Sequence, residues 1–265
     1  SQLIVDPEAV SPRIGARAVL VGVEIWIFGG ANDVNFFSDL HCVNIHNGSV
    51  RRPQTIGEAP TARINHVMAT NGNRIIVYSG CDATVLTDMY ILDLETMVWS
   101  ALKLEHGRSQ SSFAVADSHL FVYGASNTPG FLVFDFTLND AVMLNVSGII
   151  PPSTITGSSL IPIDRYLLLV GGDAYTEIDD NVPFAPIYVF NIDTKQWSVL
   201  PVQPDNITTN PSDGYVDKNG DFLVPVCKQS SVVYHDSLRE VVVFLGSPPA
   251  NPPIAYAIKV ANPLA

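Results

Sequence analysis

Arg74-Ile75-Ile76-Val77-Tyr78-Ser79-Gly80, then Asp88-Met89-Tyr90-Ile91-Leu92-Asp93-Leu94-Glu95-Thr96 and Trp99, is the stretch that decides the fold. Both runs are short, rich in Val, Ile, Leu and Tyr, and bounded by Gly, Asn and Asp, which is the signature of β-strands. Helical periodicity is not visible over any useful length. The arrangement is an apolar strand ending in a Gly-containing doublet, a polar loop, a second strand, a turn and a third strand.

It recurs along the chain. Upstream, Glu24-Ile25-Trp26-Ile27-Phe28-Gly29-Gly30 leads to Asp39-Leu40-His41-Cys42-Val43-Asn44-Ile45. Downstream, His119 to Gly124-Ala125 leads to Phe131–Phe136, and Tyr166 to Gly171-Gly172 leads to Ile187–Thr194 and Trp197. A fifth copy runs from Glu240 to Gly246 and on to Ile254–Ile258. Successive doublets stand about 45–50 residues apart, and only the last gap is longer, the surplus falling around Pro201 to Asp221. Asp217-Lys218-Asn219-Gly220-Asp221 within it reads as a short hairpin, because Asn-Gly is a strong turn signal. A repeat of this period marks a solenoid or propeller. A unit of about four strands cannot bury both faces alone, and packing such units radially around an axis solves the problem.

Two residue types in the repeat read as structural. Gly29, Gly30, Gly80, Gly171 and Gly172 end strands where the backbone needs conformations closed to other residues and close approach to a neighbour. Trp99 and Trp197 offer large area for burial between adjacent sheets.

At these residues the chain resembles the Kelch-repeat family. Arg13, Arg63 and Arg108 start the inner strands about 16 residues before each doublet, and Arg63 to His66 matches the Arg-x-x-His form. Tyr90 and Tyr188 take the aromatic position, and Trp99 and Trp197 the tryptophan position. The likeness covers nearly the whole chain but decays: Val50 and Ala141 replace the tryptophan in copies one and three, and copy five has Gly246-Ser247 and no tryptophan. The resemblance implies an all-β, Kelch-type β-propeller of four-stranded antiparallel blades, with five blades visible and six possible. The expected organisation is a single domain over 1–265, with blades near 11–52, 60–104, 107–146, 153–200 and 222–265. Residues 1–10 are expected to close the ring and 201–221 to form a long loop. The alternatives are a fragment, or a sixth blade hidden in 201–226.

Composition narrows the partners. Hydrophobic residues make up 47% of the 265 and charged residues only 15%, which describes a packed domain rather than a disordered one. The net charge is -12, and Arg51-Arg52 is the lone basic pair, so the lysine and arginine cluster that nucleic acid or an anionic membrane requires is missing. No apolar run approaches the roughly 20 residues of a membrane span. The first residue is Ser, which leaves room for a removed leader. Cys42, Cys81 and Cys227 cannot all pair within the chain; one disulfide with a free thiol and three reduced thiols both remain open.

No catalytic or cofactor constellation is visible. The six histidines show neither the i, i+4 spacing nor the Cys partners of a zinc site. There is no Gly-x-Ser-x-Gly elbow and no phosphate-binding Gly loop. The family includes galactose oxidase, but its copper ligands, two Tyr and two His with a cysteine-modified Tyr, cannot be placed here. No metal, no cofactor and no enzymatic activity are expected.

The loops after the doublets are expected to cluster at one end. Among them Phe36 and Phe37 form an aromatic pair that either anchors a partner or packs into the blade. Asp173, Glu177, Asp179 and Asp180 make an acidic loop, solvated or attracting a cation or basic peptide. In Kelch peptide receptors the inner-strand arginines line the binding mouth. That resemblance makes Arg13, Arg63 and Arg108, with Asn65 and Gln110, candidates, and structural hydrogen bonding is the competing reading. The sequons at Asn47, Asn145 and Asn206 fall in turns or loops and point toward secretion, whereas the lack of cysteine pairing points the other way. The expected function is a non-catalytic propeller binding a protein or peptide, as part of a larger protein or complex. The alternative is a secreted, galactose-oxidase-like or lectin-like propeller acting on carbohydrate.

Overall fold

The computed structural model describes residues 9–127, 129–173, 184–203, 224–225, 231–244 and 256–260. Blade 1 comprises β1 (Arg17–Val21), β2 (Glu24–Phe28), β3 (Leu40–Asn44) and β4 (Val50–Arg51), hydrogen-bonded in that order. Blade 2 repeats it with β5 (Val67–Asn71), β6 (Arg74–Tyr78), β7 (Asp88–Asp93) and β8 (Val98–Lys103), and blade 3 with β9 (Ser112–Ala116), β10 (His119–Tyr123), β11 (Phe131–Asp135) and β12 (Asp140–Leu144). Blade 4 adds a short parallel strand, β13 (Ser147–Gly148), to β14 (Ser159–Ile163), β15 (Tyr166–Val170), β17 (Ile187–Asn191) and β18 (Gln196–Leu200). A two-residue ladder joins β16 (Phe184–Ala185) to β19 (Val224–Pro225). Blade 5 shows β20 (Ser231–His235), β21 (Glu240–Phe244) and β22 (Tyr256–Lys259). This succession is that of a five-bladed, all-β propeller. The expected ring-closing segment, long loop and hairpin, with Glu177, Asp179, Asp180, Asn206 and Cys227, lie wholly or mostly outside the described residues.

Alternation along each strand sets the faces. In β2, Trp26 and Phe28 enter one core with Leu40, Cys42, Met68, Val77, Tyr90 and Trp99. In β6 the run Ile75-Ile76-Val77-Tyr78 is buried throughout, because both faces of a middle strand are covered. The chain divides into two compact units, Ser1–Ser111 with Asp117–Leu120 and Asp135–Ala141, and the remainder. That Trp26–Trp99 cluster is the core of the first. The second has two cores, one around Phe131, Phe190 and Trp197 and one joining Leu168 and Val170 to Val241 and Val243. Trp197 stacks on Phe131 at 5.4 Å and 9° between planes, and Trp99 meets Tyr90 edge-on at 6.4 Å.

The turns are also repeated. Inner and second strands join through two residues, the first of which, Gly22, Gly72, Asp117 or Asp164, has a positive φ. Between the third and fourth strands, Asn44, Asp93, Asp135 and Asn191 each accept two backbone N–H bonds through Oδ1, closing the turn. The outer edges of β8 and β18 are covered by parallel pairing with Ile56 and β13, which removes exposed ladder edges.

Blades within a unit are sewn together at the doublets. The N–H of Gly30 donates to the Arg63 carbonyl, Gly80 to Arg108 and Ala125 to Ile155. Gly29 sits at φ 68 with the Arg63 carbonyl 2.6 Å from where a Cβ would stand, whereas Gly22 has open space around it at φ 58. Gly22→Ala therefore carries only the left-handed penalty and should lower stability by about 1 kcal/mol. Gly29→Ala adds a clash with backbone and should lower it by about 3 kcal/mol. Urea unfolding of both variants checks this, and equal losses would exclude the close approach as the cause.

Candidate functional site

The site is built from the residues just before the inner strands and the loops after the doublets of blades 1 and 2. Its foundation is an arginine fork used twice. Arg13 donates Nε–H to the Ser11 carbonyl, one terminal nitrogen to the Gly29 carbonyl and Asp39, and the other to Ser11 Oγ and Asp39. Arg63 does the same with the Thr61 carbonyl, the Ser79 carbonyl, Thr61 Oγ1 and Asp88. A guanidinium has five N–H donors, and here each is occupied by the protein. Each fork ties the start of the inner strand to the two ends of the loop between doublet and third strand. Arg63 and Arg108 are fully buried.

The same positions pass the chain from blade to blade. Asn65 and Gln110, at φ 55 and 64, take left-handed conformations two residues before β5 and β9. The Asn65 N–H donates to the Gly15 carbonyl and the Gln110 N–H to the Asn65 carbonyl. Gly15, Asn65 and Gln110 thus form a backbone-linked row, partly open to solvent.

Phe36 and Phe37 part company. Phe37 packs beneath Arg13, whose guanidinium carbon lies 4.1 Å from the ring centre. Phe36 is 45% exposed and pairs across Ala31, which in turn pairs with Ile14, 75% exposed. Paired residues share a face, so Ile14 and Phe36 flank the small Ala31. Blade 2 repeats the motif as Ile64, Cys81 and Val85, with Val85 53% exposed. Gly15 joins the two, a Cβ there being only 2.8 Å from Ile64 Cβ. Val34, at the tip of the first loop, is also exposed. The result is two apolar patches of like build on braced loops, adjoining at Gly15 and Ile64 beside the Asn65–Gln110 row. Ile14, Val34, Ile64 and Val85 were not singled out by sequence reasoning. The available signal was the β-branched residue that directly follows both Arg13 and Arg63.

Charge is managed beneath this surface. Burial works against ionisation of Asp39, but the hydrogen bonds and charges of Arg13 and His41 outweigh it and hold the carboxyl down from 3.8 to about 2. His66 is buried beside Gly29 and Phe28, and neither ring nitrogen meets a hydrogen-bond partner among the described residues. Burial first, then the charges of Arg17 and Arg63, push it down from 6.5 to about 3. Elsewhere, Arg51 of the basic pair is bound to Glu24. Asn47 and Asn145 are exposed, and Cys42 and Cys81 are free thiols. Among the described residues no group of three or more His, Cys, Asp or Glu is placed to hold a metal ion, and no helix is long and apolar enough to cross a membrane.

Comparison with known proteins agrees with this architecture. The KLHDC2/KLHL20/DRC7 Kelch-repeats domain matches residues 15–216. The chain belongs to the Kelch-repeat family. It is similar to Host cell factor of Drosophila melanogaster, 29% identical over 43% of this chain and 9% of that protein. It is also similar to the Leucine-zipper-like transcriptional regulator 1 homolog of Drosophila melanogaster, 25% identical over 76% of this chain and 22% of that protein. Tip elongation aberrant protein 1 of Schizosaccharomyces pombe is 32% identical over 48% of this chain and 12% of its own length. The chain spans less than a quarter of each of these relatives. Neither the family nor these relatives support the carbohydrate reading.

Asp39 and His66 both have depressed folded-state pKa values, so both resist protonation in the folded chain. The unfolded chain takes up a proton at His66 below about 6.5 and at Asp39 below about 4, while the folded chain resists until about 3 and about 2. The contribution of these two groups to stability should therefore be level above pH 7 and fall progressively from about pH 6.5 to 2. His66→Leu should flatten the upper part of that fall, between pH 6.5 and 4, in melting temperatures recorded against pH. Arg63→Ala should lower stability by about 3 kcal/mol, because it strands Asp88 and two carbonyls. A normal melting temperature for Arg63→Ala would show that the fork does not brace the blade.

Proposed function

We propose that this Kelch domain is a protein-interaction module that receives a peptide or surface segment of another protein on the loop end of blades 1 and 2. The observation that carries the reading is the exposure of Ile14, Val34, Phe36 and Val85 on loops fixed from below. Exposed apolar side chains grouped together and rimmed by polar residues mark interaction sites. Rigid anchors lose little entropy on binding, which favours affinity. The family and the named relatives support an interaction role in general terms.

In this reading Phe36 and Ile14 are the anchors, and Asn65 and Gln110 supply polar contacts beside them. Arg13, Arg63 and Arg108 act as the support that fixes the loops, and Phe37 belongs with that support.

The test starts from peptides selected out of a random phage-displayed library against the isolated chain. Ile14→Ser combined with Phe36→Ser should weaken their binding at least about tenfold. Because both side chains are already exposed, the melting temperature should move by no more than about 2 °C. Unchanged affinity in calorimetric titration would place the binding surface elsewhere on the domain.

A further inference from the structure

We propose that the segment received at this surface is an apolar run flanked by lysine or arginine, rather than one held through an acidic side chain or a terminal carboxylate. The inference rests on the interaction reading above and concerns the charge of the partner.

A site for anionic partners needs a cation with free donors. Arg13 and Arg63 direct all five donors into the fork. Their charges are also met by Asp39 and Asp88 at bonding distance. Arg108 is buried, with 1% of its surface exposed. Arg17 gives Nε–H to the His66 carbonyl and is half-buried. A carboxylate placed against Ile14 and Phe36 would lose water without gaining a free donor from Arg13 or Arg63.

The carboxylates of the same loops are arranged the other way. Asp33 and Asp82 are exposed, and neither is in an ion pair among the described residues. Each belongs to a fixed loop: Asn32 Oδ1 accepts from the Val34 and Asn35 N–H groups around Asp33, and Asp82 itself accepts from the Thr84 N–H. That backbone bond lowers the Asp82 pKa. Beside Val85 lies an open groove of about 380 Å³, lined by Leu86, Tyr90, Leu102 and Lys103, with Glu58 exposed on it. Two carboxylates, Asp33 and Asp82, thus stand at fixed points on the loops that carry the apolar side chains, and Glu58 shares the lining of the adjoining groove with Lys103, on a chain of net charge -12. Complementarity of sign governs which partner is steered in and which is turned away.

The experiment uses short acetylated and amidated peptide pools with degenerate Leu, Ile, Phe and Val cores flanked by Lys, Gln or Glu. A further Gln-flanked pool carries a free terminal carboxylate. Affinities are read by fluorescence anisotropy at low and physiological salt. The Lys pool should bind about tenfold more tightly than the Glu pool at low salt, and less so as salt screens the charges. Asp33→Asn with Asp82→Asn and Glu58→Gln should bring the pools to within about twofold of one another. Equal affinities in the native chain overturn this inference, as does a preference for Glu or for the free carboxylate that Arg17→Gln removes. If in those cases Ile14→Ser with Phe36→Ser still abolishes binding, the interaction reading stands alone. Binding that survives that double change, or no binding of any pool, overturns both.

Discussion

The arginine that precedes an inner strand ties neighbouring blades and one loop together. Its carbonyl and its side chain act in different directions. The carbonyl of Arg63 accepts the Gly30 N–H of the preceding blade, and that of Arg108 accepts Gly80. The guanidinium of Arg63 stays within its own blade, on Ser79, Asp88 and Thr61. One residue thus joins neighbouring blades and closes the base of a loop. A buried ion pair is not stabilising merely by being present. This one is completed by three carbonyl and hydroxyl bonds, which satisfies the donors that burial would otherwise leave unpaired. The glycine at the doublet follows from the same arrangement, since the arginine carbonyl occupies the space a side chain would need.

A braced loop can afford an apolar tip. An exposed Phe or Val on a mobile loop gains by folding back onto the nearest apolar surface. Here Ala31 is held by pairing on both sides, and Cys81 likewise, so Phe36 and Val85 are directed outward by backbone bonds. The exposed apolar surface is a consequence of loop rigidity, and rigidity lets such a surface bind without ordering itself first.

The blades were legible in the sequence because their signals are local. A doublet, a run of β-branched and aromatic residues and an Asp or Asn turn lie within a few residues of one another. The fork was legible only as its arginines. Its carboxylates stand 26 and 25 residues downstream, across a whole loop and two strands. Yet Asp39 and Asp88 open the third strand in both copies, so the spacing recurs and could have been paired with the arginines. The Phe36-Phe37 pair could not be divided by reading alone, because one ring packs under Arg13 and the other is exposed. Adjacent side chains on an extended segment face opposite ways, and only the pairing of Phe36 with Ala31 decides which one faces solvent. Ile14 was marked only by following Arg13 as Ile64 follows Arg63, and Val85, beside Leu86 in a polar loop, carried no periodic signal.

Blade 4 separates the two roles of the arginine position. Ile155 stands there, 5% exposed and packed into the core of its unit. Its carbonyl still accepts the Ala125 N–H, and the following residue, Thr156, still pairs with Asp173 as Ile64 does with Cys81. The bond between blades therefore does not need a guanidinium. What the guanidinium adds in blades 1 and 2 is contact with both ends of one loop: Gly29 and Asp39 in the first, Ser79 and Asp88 in the second. A residue whose side-chain bonds converge on loop ends, and whose main-chain bond persists without that side chain, is there to fix the loop. Substituting it is accordingly a question of loop geometry and stability.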